Sequence, residues 1–409
     1  MTDNDKFGFY TVGKFKTYSK LEAIEHSGKV NLPVEWNFNR EKFSQIDWMQ
    51  EPPGSLEFWY EQRARQLREK YDYLVIWYSG GADSHNVLMS FVKNNIFVDE
   101  IAQYHNLSGT NGNKKNWVNN EVFATSAPLS QQLIENNPIY KNTKHRLYDV
   151  SDAQLDLLTK ADHKWDYFYQ SGRYTSPINL ALSYTYERIL DYQKLINKGK
   201  SVCFVYGAEK PFIEKNCDNW YITFEDRFDY AVCPRTQMLN RPWEHNELFY
   251  WSDSMPQVAI KQSHVVKNFV KQLTPELIDN VNVSSYNVLH DQYGRRKTVD
   301  SWWFNGDINN TRYQLLSGGL HKLIYPYWVP GPVVAGKPIS HAYSPKDSWL
   351  FESGAPDIGQ KYYNYGLLHL REKIKKINPD LWWEFPFDPS SGVPYTGGIK
   401  AMSNKYRIG

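Results

Sequence analysis

Apolar and polar residues along positions 56–212 alternate in a rhythm that predicts strands and helices in turn. Tyr73–Tyr78 is a continuous apolar run of strand length, as expected of a strand buried on both faces of a sheet. Strands that alternate with amphipathic helices indicate βαβ units and a mainly parallel sheet. In chain order the pattern predicts a helix over 56–70, a strand over 73–78, a helix over 83–94, a strand over 98–105, a helix over 117–136, a strand over 145–150, a helix over 178–197 and a strand over 201–206.

The residues before and after this region do not follow its alternation of strands and helices. Residues 1–55 are predicted to form short strands and turns, and they end at the breaker Glu51-Pro52-Pro53-Gly54. Later segments are an antiparallel strand over 220–224, a helix over 255–272, an aromatic-rich stretch over 280–360 with no clear period and a basic helix over 367–377. The sequence therefore predicts an N-terminal extension over 1–55, an α/β domain over 56–235 and a helical and irregular C-terminal region over 236–409.

Composition excludes several classes of protein. The 409 residues carry 47 Lys and Arg against 45 Asp and Glu, a net charge of +2, which argues against a polybasic nucleic-acid binder while leaving a local basic patch open. A hydrophobic fraction of 41% supports a sizeable core. Three cysteines without a C-x-x-C pair disfavour a disulfide scaffold or a four-cysteine zinc site. No membrane-length apolar run or signal peptide is visible, so we expect a cytoplasmic protein with no membrane partner.

The strongest chemical signal is the loop Ser79-Gly80-Gly81-Ala82-Asp83-Ser84, which joins the first buried strand to the next helix. Two glycines let the backbone turn sharply and approach a ligand closely. Their N–H groups and the helix N-terminus form an anion site, to which Ser79 and Ser84 add hydroxyl donors. Asp83 would repel a bare phosphate, so it makes sense beside a Mg2+ ion. The loop therefore predicts a site for a metal-bound polyphosphate.

This S-G-G-x-D-S loop resembles the PP-loop of the N-type ATP pyrophosphatases, a group that includes asparagine synthetases, GMP and NAD synthetases, tRNA thiolases and PAPS reductases. The resemblance covers residues 70–212. It implies a Rossmann-like (HUP-type) sheet with helices on both faces, with ATP and Mg2+ as ligands. By this resemblance Ser79, Gly80, Gly81, Ala82 and Ser84 would hold the pyrophosphate part of ATP, and Asp83 would help bind Mg2+.

A second candidate loop follows the buried strand over 201–206. Its sequence is Gly207-Ala208-Glu209-Lys210-Pro211, and in a parallel sheet it would lie at the carboxyl edge, where ligands bind. It resembles loosely the Gly-Ala-Asp-Glu loop of asparagine synthetases. That resemblance implies that Glu209 binds the metal with Asp83, and Lys210 is a candidate to neutralise charge on phosphate. A solvated Glu-Lys turn is the other interpretation.

Weaker candidates are distributed along the chain. The resemblance would bring Tyr104 and His105, at the end of the strand over 98–105, near adenine. Arg173 could reach the α-phosphate, and an ordinary surface arginine is equally consistent with its position. Lys261 could enter the cleft as a catalytic cation, although a helix-surface position suits it better.

Departures from the family narrow the chemistry. Thr2 stands where glutamine-dependent asparagine synthetases carry a catalytic cysteine, so ammonia or an amine would come from solution or from a separate subunit. Cys203, Cys217 and Cys233 fit poorly to the cysteine patterns of PAPS reductases and thiolases. The leading hypothesis is a synthetase that adenylates an unidentified carboxylate or nucleobase oxo group and transfers a nitrogen nucleophile, with residues 236–409 on the acceptor side. The alternatives are an enzyme that aminates or thiolates bases in nucleic acid, and a non-catalytic nucleotide-binding protein.

Overall fold

A five-stranded, all-parallel sheet flanked by helices forms the centre of the computed structural model. The described residues are 3–18, 20–105, 107–108, 112–114, 119, 122–150, 190–207, 210–224, 244–271, 310–314, 324, 326, 382–383, 398–399 and 403–409. In chain order the elements are β1 (Phe9–Val12), β2 (Phe15–Thr17), α1 (Lys20–Val30), β3 (Glu35–Asn37), α2 (Arg40–Phe43), α3 (Leu56–Lys70), β4 (Tyr73–Trp77), α4 (Ala82–Val92), β5 (Glu100–His105), α5 (Ala127–Asn136), β6 (Lys144–Asp149), α6 (Leu190–Ile196), β7 (Val202–Tyr206), β8 (Phe212–Asn216), β9 (Asn219–Thr223), β10 (Glu244–Leu248), α7 (Gln257–Val270), β11 (Asn310–Gln314), β12 (Trp382–Trp383), β13 (Gly398–Ile399) and β14 (Tyr406–Arg407).

The order of strands in the parallel sheet is β10-β7-β4-β5-β6. The chain runs outward from β4 through β5 to β6, then returns to the other side of β4 and continues through β7 to β10. The adjacent strands β4 and β7 are buried along their whole length, as their apolar sequences predict. This architecture is α/β and compatible with a Rossmann-like fold. The strand order reverses between β4 and β7, which is the position where open α/β sheets bind ligands.

Most of the predicted elements between residues 56 and 212 are confirmed within about three residues of their predicted ends. The Ser55 side chain caps the start of α3, where it accepts a hydrogen bond from the backbone N–H of Phe58 at 3.3 Å. A π-helical turn over Val122–Ser126 precedes α5, where the sequence predicts one continuous helix. The first part of the predicted helix over 178–197 and the whole helix over 367–377 lie outside the described residues.

Two features differ from expectation. The N-terminal part contains α1 and an antiparallel sheet with the order β2-β1-β3, whereas the sequence predicts only strands and turns there. The parallel sheet also continues past residue 235, the expected domain boundary, because β10 pairs with β7 in parallel. Polar residues hide this fifth strand from sequence analysis, since Asn246 and Glu247 are buried in it. A strand of this composition does not look like the interior of a protein.

The predicted antiparallel excursion over 220–224 is confirmed as β9, which pairs with β8. These two strands form the middle of a second sheet with the order β11-β8-β9-β14. Three segments that are distant in sequence therefore share one sheet, and the last strand lies beside β9. Among the described residues, no helix combines the length and the apolar character needed to cross a membrane.

A buried carboxylate ties the N-terminal segment and α3 to β10. Glu247 accepts a hydrogen bond from the Arg63 guanidinium at 2.9 Å and forms an ion pair with the Lys70 ammonium group at 3.0 Å. The ammonium group of Lys6 lies 3.8 Å from the same carboxylate, and the Tyr71 hydroxyl donates to it. Burial alone would raise the pKa of Glu247, but the surrounding cations hold it well below its usual range. The carboxylate therefore remains charged and paired.

We expect Glu247→Gln to lower the free energy of unfolding by about 3 kcal/mol at pH 7, because it leaves the buried Arg63 without its counter-ion. The lowered pKa means that ionised Glu247 stabilises the fold above roughly pH 4.5 and that this contribution is lost as the pH falls. The difference between wild type and variant in urea unfolding should therefore shrink by up to ~1.4 kcal/mol per pH unit below that value.

The matched control is Glu61→Gln, which removes a more exposed ion pair with Arg65, an Arg–Glu contact of 2.6 Å on the same helix α3. Surface pairs contribute about 1 kcal/mol or less, so this variant should unfold almost as wild type does. Equal unfolding free energies for the two variants at pH 7 would contradict the anchoring role of Glu247.

Candidate functional site

The loops that follow β4 and β7 meet at the carboxyl edge of the parallel sheet. The Lys210 ammonium nitrogen lies 2.9 Å from a carboxylate oxygen of Asp83. The Lys210 side chain is fully buried, whereas 42% of the Asp83 side chain is exposed. We call Ser79–Ser84, Gly207, Lys210 and Tyr250 the switch-point site. It brings together two loops that sequence analysis identified separately.

The first loop is organised by its own serines. The Ser84 hydroxyl accepts a hydrogen bond from the backbone N–H of Ser79 at 3.1 Å, and the two hydroxyl oxygens are also 3.1 Å apart. The backbone φ angle of Gly80 is +83°, a conformation that residues other than glycine rarely adopt. Gly81 is the N-cap of α4, and no side chain caps this helix end. The first turn of α4 therefore presents N–H groups that lack partners within the helix, which is the geometry of an anion site.

The second loop is pressed against the beginning of α4. A Cβ atom placed on Gly207 would lie 3.0 Å from the backbone carbon and oxygen of Asp83 and 3.0 Å from the backbone nitrogen of Ser84. These are main-chain atoms, so they cannot rotate away as a side chain would. Glycine at this position therefore allows the end of β7 to approach the Ser79–Ser84 loop closely.

Lys210 is a buried cation with several compensating partners. Besides the Asp83 carboxylate, it donates to the carbonyl oxygen of Gly207 at 3.2 Å. Its nitrogen also lies 4.7 Å from the centre of the Tyr250 ring, within the range of a cation–π interaction. A buried ammonium group is costly without such partners. Their presence keeps a positive charge between the two loops.

Tyr250 is a site residue that sequence analysis missed. Its side chain is buried, and its hydroxyl donates to the backbone carbonyl of Asp83 at 2.7 Å. Asn86 donates to the same hydroxyl at 3.2 Å. Burial raises the pKa of Tyr250 well above its ordinary value, so the hydroxyl stays protonated. The run Leu248–Trp251, which begins at the last residue of β10, is apolar and aromatic. This signal would have identified the position once β10 was recognised.

Tyr104 and His105 end β5, the neighbour of β4 in the sheet. The His105 Nδ1 atom accepts from the backbone N–H of Leu107 at 3.2 Å. Burial lowers the pKa of His105, and Asp149 at 3.8 Å opposes that shift. The Tyr104 ring lies 6.0 Å from the ring of Trp77 at the end of β4. Both predicted residues therefore lie at the same edge of the sheet as the switch-point site.

The other sequence candidates are not brought to this site. Lys261 lies on α7, where its ammonium group contacts a carboxylate oxygen of Glu51 at 2.6 Å. Within the described part of the chain it makes no contact with Ser79–Ser84, so its expected catalytic role gains no support. Arg173 and Glu209 lie outside the described residues.

The cysteines and the acidic residues limit the chemistry. Cys203 is buried in β7, and burial raises the pKa of its thiol well above the ordinary value, which disfavours the reactive thiolate. Cys217 is exposed in the turn between β8 and β9, and Cys233 lies outside the described residues. No cluster of three or more His, Cys, Asp or Glu side chains suited to a metal ion occurs in the described ranges. Among the residues that the structure describes, Asp83 is the acidic member of the switch-point site.

Comparisons with known proteins assign no family. No protein-family model matches the chain, and no curated protein gives a significant match. Function is therefore inferred from the geometry of the switch-point site.

We expect Gly207→Ala to lower the free energy of unfolding by about 1–3 kcal/mol, because its Cβ atom would press on main-chain atoms at the start of α4. Glycine-to-alanine changes in unstrained positions usually stabilise proteins by roughly 0.4–1 kcal/mol, so the sign is diagnostic. Chemical denaturation should show a larger loss for Gly207→Val. If both variants unfold as wild type does, the two loops are not packed as described.

Proposed function

We propose that the protein is a PP-loop ATP pyrophosphatase with a HUP-type fold, which cleaves ATP between the α- and β-phosphates and adenylates an acceptor. The observation that carries this proposal is the contact of Lys210 with Asp83 across the reversal point of the sheet. This contact joins the S-G-G-x-D-S loop to the G-A-E-K loop. The family resemblance implies that both loops belong to one nucleotide site.

The first loop suits the phosphates of ATP. The N-terminus of α4, the left-handed Gly80 and the two serine hydroxyls supply hydrogen-bond donors and positive electrostatic potential. Because a nucleoside triphosphate carries several negative charges, these donors and the buried Lys210 ammonium group would bind it favourably. The open position of Asp83, which is partly exposed, suits a group that approaches from solvent.

Asp83 fits one ligand position of a Mg2+ ion. Carboxylate oxygens are the protein ligands that Mg2+ prefers, and Mg2+ in nucleotide sites is usually held by only one or two carboxylates together with phosphates and water. The absence of a three-ligand cluster among the described residues is consistent with such a site. In this proposal Glu209 adds the second carboxylate. The ion would neutralise phosphate charge when bound.

Lys210 would contribute most to the reaction step. Its ammonium group is buried, so its charge is weakly screened by solvent. A positive charge held in place before the reaction stabilises negative charge that develops on the phosphates in the transition state. Its contact with Asp83 orders the ammonium group in the absence of nucleotide.

In this proposal the acceptor is a carboxylate or the oxo group of a nucleobase, and the nucleophile is ammonia or an amine. Thiolation of a nucleobase, the alternative reaction, would use Cys217 or Cys233, since burial disfavours the thiolate of Cys203. A non-catalytic nucleotide-binding protein would need the glycines of the loop and not a metal ligand, so the presence of the Asp83 carboxylate favours the enzyme.

The proposal predicts that Asp83→Asn abolishes most of the Mg2+-dependent turnover of ATP. Lys210→Ala should bind ATP within a few-fold of wild type and turn over about 10²–10³-fold more slowly, because its contact strengthens in the transition state. The assay uses Mg2+, ammonium chloride and a panel of amino acids and nucleosides, with ATP labelled at the α-phosphate to identify AMP and, in a parallel reaction, ATP labelled at the γ-phosphate to identify pyrophosphate.

The same two strands provide matched controls at their opposite ends. The Asp72 carboxylate and the Lys200 ammonium group lie 2.7 Å apart just before β4 and β7, so Asp72→Asn and Lys200→Ala remove the same charges from the other edge of the sheet. Both controls should retain wild-type turnover. Formation of ADP in place of AMP, or equal turnover in all four variants, would refute the proposal, whereas tight ATP binding without turnover would favour the non-catalytic alternative.

A further inference from the structure

Tyr250 contacts both charged residues of the switch-point site through different parts of its side chain. The hydroxyl donates to the backbone carbonyl of Asp83 at 2.7 Å, and the face of the ring lies 4.7 Å from the Lys210 nitrogen. Neither contact follows from the sequence motifs, because Tyr250 lies beyond the fifth strand and outside both loops.

We infer that Tyr250 is a positioning residue, whose hydroxyl holds the first turn of α4 where Asp83 is placed and whose ring holds the Lys210 ammonium group. This inference rests on the proposed function for its effect on ATP chemistry. Its structural part concerns only contacts of the protein without nucleotide.

The hydroxyl acts on the helix that carries Asp83. It receives a hydrogen bond from Asn86 at 3.2 Å while it donates to the Asp83 carbonyl. Asp83 and Asn86 are three positions apart on α4, so they lie on one side of the helix. One hydroxyl therefore contacts two points at the start of α4, which fixes the backbone position from which the Asp83 side chain projects.

The ring acts on Lys210. The face of an aromatic ring carries negative electrostatic potential and attracts a cation, most strongly where water is excluded. The Lys210 side chain has no exposed surface, which meets that condition. The ring therefore favours the ammonium group in the position between the two loops, and a leucine there would not.

Tyr250 is itself held rigidly. Its backbone carbonyl accepts from the Gln262 side-chain amide at 2.8 Å, which links it to α7. The rings of Tyr60 and Phe249 pack edge-on against it at centroid distances of 5.8 and 5.6 Å. The backbone N–H of Phe249 also donates to the carbonyl of Tyr206 at 3.0 Å, so the segment remains in register with the end of β7. A residue whose backbone is hydrogen-bonded and whose ring is packed between two others is suited to position its neighbours.

The hydroxyl and the ring can be tested separately with Tyr250→Phe and Tyr250→Leu. The hydrogen bond that the Tyr250 hydroxyl donates to the Asp83 carbonyl corresponds to a factor of about three to ten, and Tyr250→Phe also loses the bond from Asn86. This variant should therefore raise the Mg2+ concentration for half-maximal turnover by at least about threefold, while kcat at saturating Mg2+ changes less than about twofold. Tyr250→Leu also loses the ring, and its kcat should fall at least a further tenfold.

Tyr60→Phe is the matched control. Tyr60 is equally buried, and its hydroxyl donates to the backbone carbonyl of Ile324 at 2.7 Å, which lies outside the switch-point site. Both Tyr-to-Phe variants therefore lose a buried hydrogen bond to a backbone carbonyl, and Tyr250→Phe also loses the bond from Asn86. A merely structural role of Tyr250 predicts lower thermal stability in both variants and unchanged Mg2+ dependence in both.

A nuclear magnetic resonance experiment tests the ring contact without ATP. With ¹³C-labelled lysine, and with Lys210→Arg to assign the signal, the terminal CH2 protons of Lys210 should be shifted to high field by the ring current of Tyr250. The shift should persist in Tyr250→Phe and disappear in Tyr250→Leu.

The outcomes separate the two proposals. An unshifted Lys210 signal in the wild type overturns the ring contact whether or not the protein uses ATP, and it also decides the matter if Tyr250→Leu fails to fold. Unchanged Mg2+ dependence in Tyr250→Phe, in a wild type that turns over ATP, overturns the hydroxyl's role alone. Absence of ATP binding by the wild type together with a shifted signal would refute the proposed function while preserving the ring contact.

Discussion

The parallel pairing of β4 with β7 is the constraint on which the candidate site depends. Both strands are buried along their whole length, so their ends are fixed by the packing of the core. Because β4 and β7 are adjacent and parallel, the loops that follow them begin side by side at the carboxyl edge of the sheet. This edge, at the point where the strand order reverses, is where open α/β sheets bind ligands. Gly207 then permits backbone approach, and Asp83 and Lys210 form their ion pair there.

Two buried charges serve different purposes in this fold. Glu247 is surrounded by Lys6, Arg63 and Lys70 and binds the N-terminal segment and α3 to the edge strand β10. Lys210 is also buried, but its carboxylate partner is partly exposed to solvent. The buried Glu247 carboxylate pairs with the equally buried Arg63 guanidinium, which stabilises one arrangement of elements. The buried Lys210 ammonium group pairs instead with a carboxylate that faces solvent, and such a cation can exchange this partner for a ligand. This difference distinguishes a structural anchor from a candidate reaction centre.

Sequence analysis located the motif loops and the central strands because these depend on local signals. The apolar runs of β4 and β7 indicate burial directly, and the glycines at 80 and 81 mark the turn between strand and helix. It missed β10, where Asn246 and Glu247 are buried in pairing and ionic contacts supplied by distant residues. Tyr250 was missed for the same reason, since its role arises from the return of the chain to the sheet. Lys261 was a candidate by type alone, and its contact is with Glu51.

The proposed nucleotide site is tested most directly by a crystal structure of the protein with Mg2+ and an ATP analogue whose α–β bridge cannot be cleaved. We expect the phosphates to lie against Ser79–Ser84, with Mg2+ on Asp83 and the Lys210 ammonium group within hydrogen-bond distance of a phosphate oxygen. A structure in which the analogue binds elsewhere while Lys210 and Asp83 keep their mutual contact would contradict it.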